Sequence, residues 1–316
     1  MKIVILDRAS LGDDTPVDKL KDLGELTVYE SSTASEVIDR VKDADVIILN
    51  KIKITREVLF STDSLKLVCV FATGFDNIDI TAAKEKGVAV CNVPGYSSDS
   101  VALFTAAKVT ALCSHIFEYR SFVTSGKYTE SGIPNRLTPV YHELSGKTWG
   151  IVGYGGIGKA VAKIAKGFGA KILVNKRTPV EEAECVDIDT LCKKSDIITL
   201  HCPLNDSTRG LICKERIELM KKDVIIVNEA RGAVVNEKDI RDAILERKIG
   251  GYGCDVYSTE PFSKEHPYND IMRLDNVILT PHAAWGAYEA RERCLNIIIN
   301  NITSFFNGEF LNRVDK

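Results

Sequence analysis

The chain has 316 residues, 45% of them apolar, with 41 basic against 44 acidic side chains, a formal net charge of −3 and a pI near 6.0. That length leaves room for about two domains, each with its own core. The balanced charge carries neither the basic stripe of a nucleic-acid binder nor the acidic tail of a disordered segment, and no apolar run approaches membrane-spanning length. Met1 and Lys2 are followed by only four apolar residues, Ile3 to Leu6, before Asp7, which reads as a strand and not as the core of a signal peptide. Nine scattered cysteines, no two at C-x-x-C spacing, predict neither a metal site nor a disulfide framework. They suit a cytoplasmic protein.

The first hundred residues alternate β-branched runs with helical stretches. Strands are expected at Ile3–Leu6, Leu26–Tyr29, Val46–Leu49, Leu67–Phe71 and Val88–Asn92, and helices near 34–43, 54–60 and 79–86. Such alternation predicts an α/β fold with a parallel sheet covered on both faces. Residues 93–100, rich in turn formers, read as a domain boundary, with a long helix running on to about 124 and capped by Asp99 or Ser100.

A second alternating series begins near Thr148, with strands expected at 148–152, 171–175, 196–200, 223–228, 250–254 and 276–280. Between the first two lies a glycine fingerprint: Gly153, Gly155 and Gly158 take the G-x-G-x-x-G positions, after an apolar run and before a helical pattern with Ile157, Val161, Ile164, Ala165 and Phe168 on one face. Strand, glycines and helix in that order are what a dinucleotide pyrophosphate requires: a tight turn at Gly153, close backbone approach at Gly155, and close helix–strand packing at Gly158. The last stretch, 284–306, reads as a helix that returns to the first domain. The organisation expected is a discontinuous substrate domain of 1–98 and 286–316 and a dinucleotide-binding Rossmann domain of 99–285, both doubly wound, with a cleft between.

The strand after the fingerprint helix ends Ile172-Leu173-Val174-Asn175, and the next residues are Lys176 and Arg177. An acidic residue at this place would bind the ribose 2′-hydroxyl of NAD; two cations favour the 2′-phosphate of NADP(H), with NAD(H) remaining possible. Both side chains also fit a solvated turn.

Three further segments put polar residues just beyond apolar strands, where ligands bind in open α/β sheets. They are Asn228-Glu229-Ala230-Arg231-Gly232, Asp255-Val256-Tyr257-Ser258-Thr259-Glu260, and Thr280-Pro281-His282-Ala283-Ala284-Trp285.

With these residues, the chain resembles the D-isomer-specific 2-hydroxyacid dehydrogenase family over nearly its whole length. Ala72-Thr73-Gly74-Phe75-Asp76-Asn77 resembles the family's substrate-carboxylate loop, Asn92-Val93-Pro94-Gly95 its interdomain segment, and His201-Cys202-Pro203-Leu204, with Thr208, its loop beside the cofactor. Pro94-Gly95-Tyr96 and His282-Ala283-Ala284-Trp285 look most like the glycerate dehydrogenases, or hydroxypyruvate reductases, of that family.

The resemblance implies interconversion of a small D-2-hydroxy acid and its 2-oxo acid, with hydroxypyruvate or glyoxylate as substrate. It implies Arg231 as the cation for the substrate carboxylate, with backbone N–H groups near Thr73 and Gly74 as further anchors. His282 becomes the proton donor to the keto oxygen, and Glu260 the carboxylate that favours its imidazolium form. Gly153, Gly155, Gly156, Ile157, Gly158, Pro203, Thr208, Ala230 and Asp255 become cofactor contacts, Asp255 at the nicotinamide carboxamide. Trp285 fits either packing on the terminal helix or closure of the substrate pocket. A homodimer through the cofactor domains is also implied, using the helix at 99–124.

Departures from the family pattern are Lys176, Leu103, Phe104 and Glu229; the last is expected to pair with Arg231 or with the cofactor. Two rivals share these motifs: a dinucleotide-sensing, corepressor-like binding protein with little turnover, and a relative using an unusual hydride donor such as formate. A chain that begins at its first strand and ends soon after its last helix is expected to be the enzyme. His115 reads as a core or interface residue of the long helix, His142 and His266 as surface residues, and His201 as lining the cofactor site.

Overall fold

The computed structural model describes residues 1–316 and divides into two compact units, Met1–Ser97 with Gly286–Lys316, and Ser98–Trp285. In the first unit the strands are β1 (Lys2–Ile5), β2 (Glu25–Val28), β3 (Val46–Leu49), β4 (Leu67–Val70) and β5 (Ala89–Cys91). They form one parallel sheet in the order β2-β1-β3-β4-β5, with Ile3 opposite Val46 and Val46 opposite Leu67. β3 and β4 read VIIL and LVCV and are buried at every position, as strands covered on both faces must be. The helices of this unit are α1 (Ala34–Val41), α2 (Arg56–Phe60), α3 (Ile80–Lys86) and, from the other end of the chain, the nineteen-residue Tyr288–Phe306. The strand order is that of a flavodoxin-like sheet, with its reversal between β1 and β3. Asp7, just past β1, closes that point by accepting the backbone N–H groups of Asn50 and Lys51 at 3.0 and 2.7 Å.

The second unit opens with α4 (Ser98–Cys113), α5 (Ile116–Thr124) and α6 (Lys127–Ser131). The single helix expected to run to 124 is instead broken: His115 takes a left-handed conformation, φ 52°, and α5 leaves α4 at a bend of 63°. No single helix is long and apolar enough to cross a membrane.

Then follow β6 (Thr148–Val152), α7 (Gly156–Gly167), β7 (Lys171–Asn175), β8 (Glu184–Cys185), α8 (Ile188–Lys194), β9 (Ile197–Leu200), α9 (Lys214–Ile217), β10 (Ile225–Asn228), α10 (Glu237–Leu245), β11 (Gly251–Cys254) and β12 (Val277–Leu279); the terminal Tyr288–Phe306 is α11. The sheet is parallel throughout, ordered β12-β11-β10-β9-β6-β7-β8. This is the Rossmann order, extended by one strand at the far edge, and it reverses between β6 and β9. One face is packed by Trp149, Val161, Ala165 and Val109, the other by Ile226, Ile240, Tyr252 and Tyr268. Trp149 Nε1 donates to Thr199 Oγ1 at 3.1 Å, so the largest buried side chain leaves no orphaned donor. On α7, Val161 and Ala165 are buried as the periodicity predicts, but Phe168 is exposed because the helix ends at Gly167.

Candidate active site

The fingerprint occupies the sheet's reversal point. Gly153, at the end of β6, has φ 88°, and a β-carbon there would lie 2.7 Å from the His201 carbonyl and the Cys202 N–H. Only glycine suits both constraints. A side chain at Gly158 would strike the Gly153 carbonyl, whereas at Gly155 there is open space. Gly155 caps α7, whose first turn, including Gly156 and the half-buried Ile157, contains no acidic residue. Open space in front of Gly155 and a helix start whose first turn carries no carboxylate fit the pyrophosphate of a dinucleotide.

Across the reversal, the loop after β9 is folded by Thr208, whose hydroxyl donates to the Pro203 carbonyl at 2.7 Å and accepts the Asn205 N–H at 2.8 Å. His201 is half-buried as a residue, yet both ring nitrogens are sealed from solvent and lack partners. Burial pushes its pKa down to about 3, which keeps it neutral. Lys176 and Arg177 follow β7 and are exposed.

Arg231, Glu260 and His282 follow β10, β11 and β12, so all three stand at the carboxyl edge of one sheet. Asn228 shapes the first loop: its side-chain oxygen accepts the Ala230 N–H and its amide donates to the Arg231 carbonyl, both at 3.0 Å. Arg231 Nη1 donates to the Ala230 carbonyl at 2.9 Å. Next comes Gly232, where any side chain would collide with the backbone of Tyr257 and Ser258. That close contact lays the arginine loop against the loop carrying Glu260.

Glu260 accepts the Tyr257 N–H at 3.0 Å with one oxygen and meets His282 Nδ1 at 2.6 Å with the other. An ionised carboxylate can only accept, so Nδ1 carries a hydrogen and Nε2 is the nitrogen left for chemistry. The pair is partly open, with side-chain exposures of 27% for His282 and 31% for Glu260. His282 is held at φ 52°, its N–H donating to the Asp255 carbonyl at 2.9 Å. The buried Asp255 carboxylate fixes the same loop by accepting the Thr280 hydroxyl and the Ala283 and Ala284 N–H groups at 2.5, 3.0 and 2.8 Å. Trp285, three residues past His282, is half-buried.

In the first unit, Thr73 and Gly74 lie in the loop after β4. The Thr73 hydroxyl donates to the Val93 carbonyl at 2.8 Å, and its own carbonyl accepts from Asn92 at 2.7 Å. Asn301 on α11 in turn donates to the Asn92 carbonyl at 3.0 Å, tying this loop to the last helix.

Two expectations are corrected. Glu229 pairs with Lys108 of α4, at 2.5 Å between Nζ and Oε1, and not with Arg231. Burial pushes the Glu229 carboxyl up to about 7, against the pull of Lys108 and with a smaller push from Asp255. The signal available in the sequence was Lys108 itself, the lone lysine or arginine in the apolar stretch of α4. His266 is buried, not superficial: Nδ1 accepts the Tyr268 N–H at 3.2 Å, so Nε2 donates to Glu237 at 3.0 Å. Glu237 also accepts the N–H and hydroxyl of Ser258 at 2.9 and 2.5 Å, which anchors the loop that bears Glu260.

Residues 106–284 match the family model described as D-isomer specific 2-hydroxyacid dehydrogenase, NAD binding domain. The chain is 39% identical to the hydroxypyruvate reductase of Blautia hydrogenotrophica, over 100% of both proteins. It is 38% identical to the glyoxylate reductase of Thermococcus litoralis, over 86% of this chain and 84% of that protein. Among solved structures, an acyclic imino acid reductase in complex with NADPH and D-Arg superposes with a TM-score of 0.86 at 31% identity, covering 99% of this chain and 100% of that one. These likenesses are to oxidoreductases and do not favour the corepressor-like reading. The protein therefore belongs to the D-isomer specific 2-hydroxyacid dehydrogenase family, enzymes that act on CH–OH donors with a nicotinamide dinucleotide.

Proposed function

We propose that this enzyme reduces a small 2-oxo acid, hydroxypyruvate or glyoxylate, to the corresponding D-2-hydroxy or hydroxy acid, with NADPH as the favoured donor and NADH as a second one. The observation that carries the reading is the 2.6 Å contact between His282 Nδ1 and Glu260, on the loop packed through Gly232 against that of Arg231. It supplies a proton donor and a carboxylate-binding cation on adjoining loops.

When bound, the dinucleotide supplies the hydride. Arg231 binds the substrate carboxylate with its planar two-donor fork. His282 gives a proton from Nε2 to the keto oxygen and takes it back in the oxidative direction. Glu260 holds the ring and carries the compensating negative charge. Asp255 and Ala230 bound the nicotinamide end of the cofactor site, and Trp285 closes the substrate side.

The names of the two curated relatives support the substrate class. Lys176 and Arg177, exposed where an acid would bind a ribose hydroxyl, support a 2′-phosphate. A homodimer is supported by α5, which buries no side chain and exposes Ile116, Phe117 and Val123, followed by exposed Leu137, Val140 and Tyr141. Nine free cysteines suit a reducing, cytoplasmic setting.

The test is the initial rate of NADPH and NADH oxidation with hydroxypyruvate, glyoxylate and pyruvate side by side. Faster turnover with NADPH on the first two is expected. A lower KM for NADH than for NADPH would remove the 2′-phosphate reading and leave the reductase; silence on all three acids would remove the substrate assignment.

A further inference from the structure

α4 packs against α7, β10 and β11 and presents one charged side chain to that interior. Lys108 is 3% exposed and Glu229 0% at their side chains. The Lys108 stem runs across Gly253, where an added methyl would lie 3.1 Å from its Cδ, and its ammonium sits 5.1 Å from the centre of the Phe104 ring. Lys108 therefore touches β11 at Gly253 and the first residue past β10, Glu229. Glu229 is two residues before Arg231, and Gly253 two before Asp255, which grips the loop of His282. Farther up the same helix, the Ser100 hydroxyl donates to the Ala284 carbonyl at 2.6 Å, on that loop again.

Stability alone gives no reason for this pair. Two charges lose their water on burial, and an apolar pair of similar volume is often as stable or more so. Here the account is worse, because Glu229 Oε2 is buried with no hydrogen-bond partner.

We propose that the Lys108–Glu229 pair is a positioning element for the reaction: it sets Arg231 at the end of β10 in register with the Asp255–His282 loop and keeps an ionisable charge behind that strand end. The titratable groups facing Glu229 are Lys108 from α4, Cys254 and Asp255 at the end of β11, and Tyr257 beyond them. Burial holds the Cys254 thiol up at about 12 and pushes the Tyr257 phenol up as well, so both stay neutral near pH 7. The Glu229 carboxyl, pushed up to about 7, changes charge there. Its protonation leaves the Lys108 charge unbalanced behind Arg231, which favours an anionic substrate.

The inference rests on the assignment of Arg231 to the substrate carboxylate. The experiment compares kcat and KM for hydroxypyruvate between pH 6 and 8.5 in the wild type, in Lys108→Met/Glu229→Thr, in Lys108→Arg and in Glu229→Gln. The double variant, with no buried charge, should keep a wild-type melting temperature yet lose about tenfold or more in kcat/KM, mostly through KM. Lys108→Arg, which keeps the pair, should retain most of it. Glu229→Gln should lose the rise of KM with pH through about 7 that the pair contributes in the wild type. Wild-type kcat/KM and pH profile in the double variant would overturn the proposal. Should that variant fail to fold, Glu229→Gln decides: an unchanged KM–pH curve overturns the proposal and a flattened one supports it. A wild type inactive on every 2-oxo acid would instead overturn the substrate reading, which separates the two failures.

Discussion

Two ion pairs in the seven-stranded unit make a useful contrast. His282–Glu260 lies on loops, joins the ends of β12 and β11, and keeps about a third of each side chain in solvent. Lys108–Glu229 lies behind the strand ends and keeps none to speak of. Exposure lets the first pair exchange protons with a substrate and with water. Enclosure denies the second pair any substrate but makes its geometry rigid and its charge state dependent on its neighbours. On the roles proposed above, chemistry stands where water and ligand can reach, and its placement falls to groups they cannot reach.

The comparison can be broken at three points. The largest effect is expected at the open pair: His282→Asn removes the proposed proton donor and should lower kcat by about 10²–10⁴-fold, with dinucleotide affinity nearly unchanged in a fluorescence titration. A smaller one is expected at the contact between loops. Gly232→Ala puts a methyl into the Tyr257–Ser258 backbone and should cost about 1–3 kcal/mol in denaturant unfolding, with a fall in kcat/KM as the Glu260 loop shifts.

The smallest is a pH effect at the closed pair. The folded-state pKa of Glu229 is raised to about 7 from an ordinary 4.5, so between these values the folded chain holds a proton that the unfolded chain has lost. Its contribution to stability therefore falls as pH rises through that window, by at most roughly 1.4 kcal/mol per pH unit. Glu229→Gln lacks this term. Its melting temperature relative to wild type should climb from pH 5 to pH 7, and a constant difference would place the ordinary carboxyl pKa at Glu229.

The fold was legible because its signals are local. β3 and β4 are unbroken apolar runs, β6 leads straight into three glycines, and each proposed catalytic residue stands in a loop after a strand. What escaped was settled at a distance. Lys108 and Glu229 are 121 residues apart, and nothing near Glu229 names its partner. His266 sits among Lys264 and Glu265 and so looks superficial, yet Phe262, Tyr257 and Tyr268 close around its ring. The helix break at His115 was hidden because neither glycine nor proline stands anywhere between residues 98 and 124 to mark it. The two-residue β8 is too short to leave any period. Asp255 was legible as a site residue by resemblance, but its grip on Thr280, Ala283 and Ala284 is a matter of three-dimensional folding.

The left-handed backbone at His282 has a practical side. A residue with a β-carbon pays for that conformation, and histidine, asparagine and aspartate tolerate it better than most. The position is therefore filtered twice, first by the turn and then by the proton-carrier role proposed for it, and histidine passes both filters. Anyone seeking an inert form of the enzyme for trapping a substrate complex should choose asparagine there: it preserves the turn, whereas alanine would confound a chemical deletion with a conformational one.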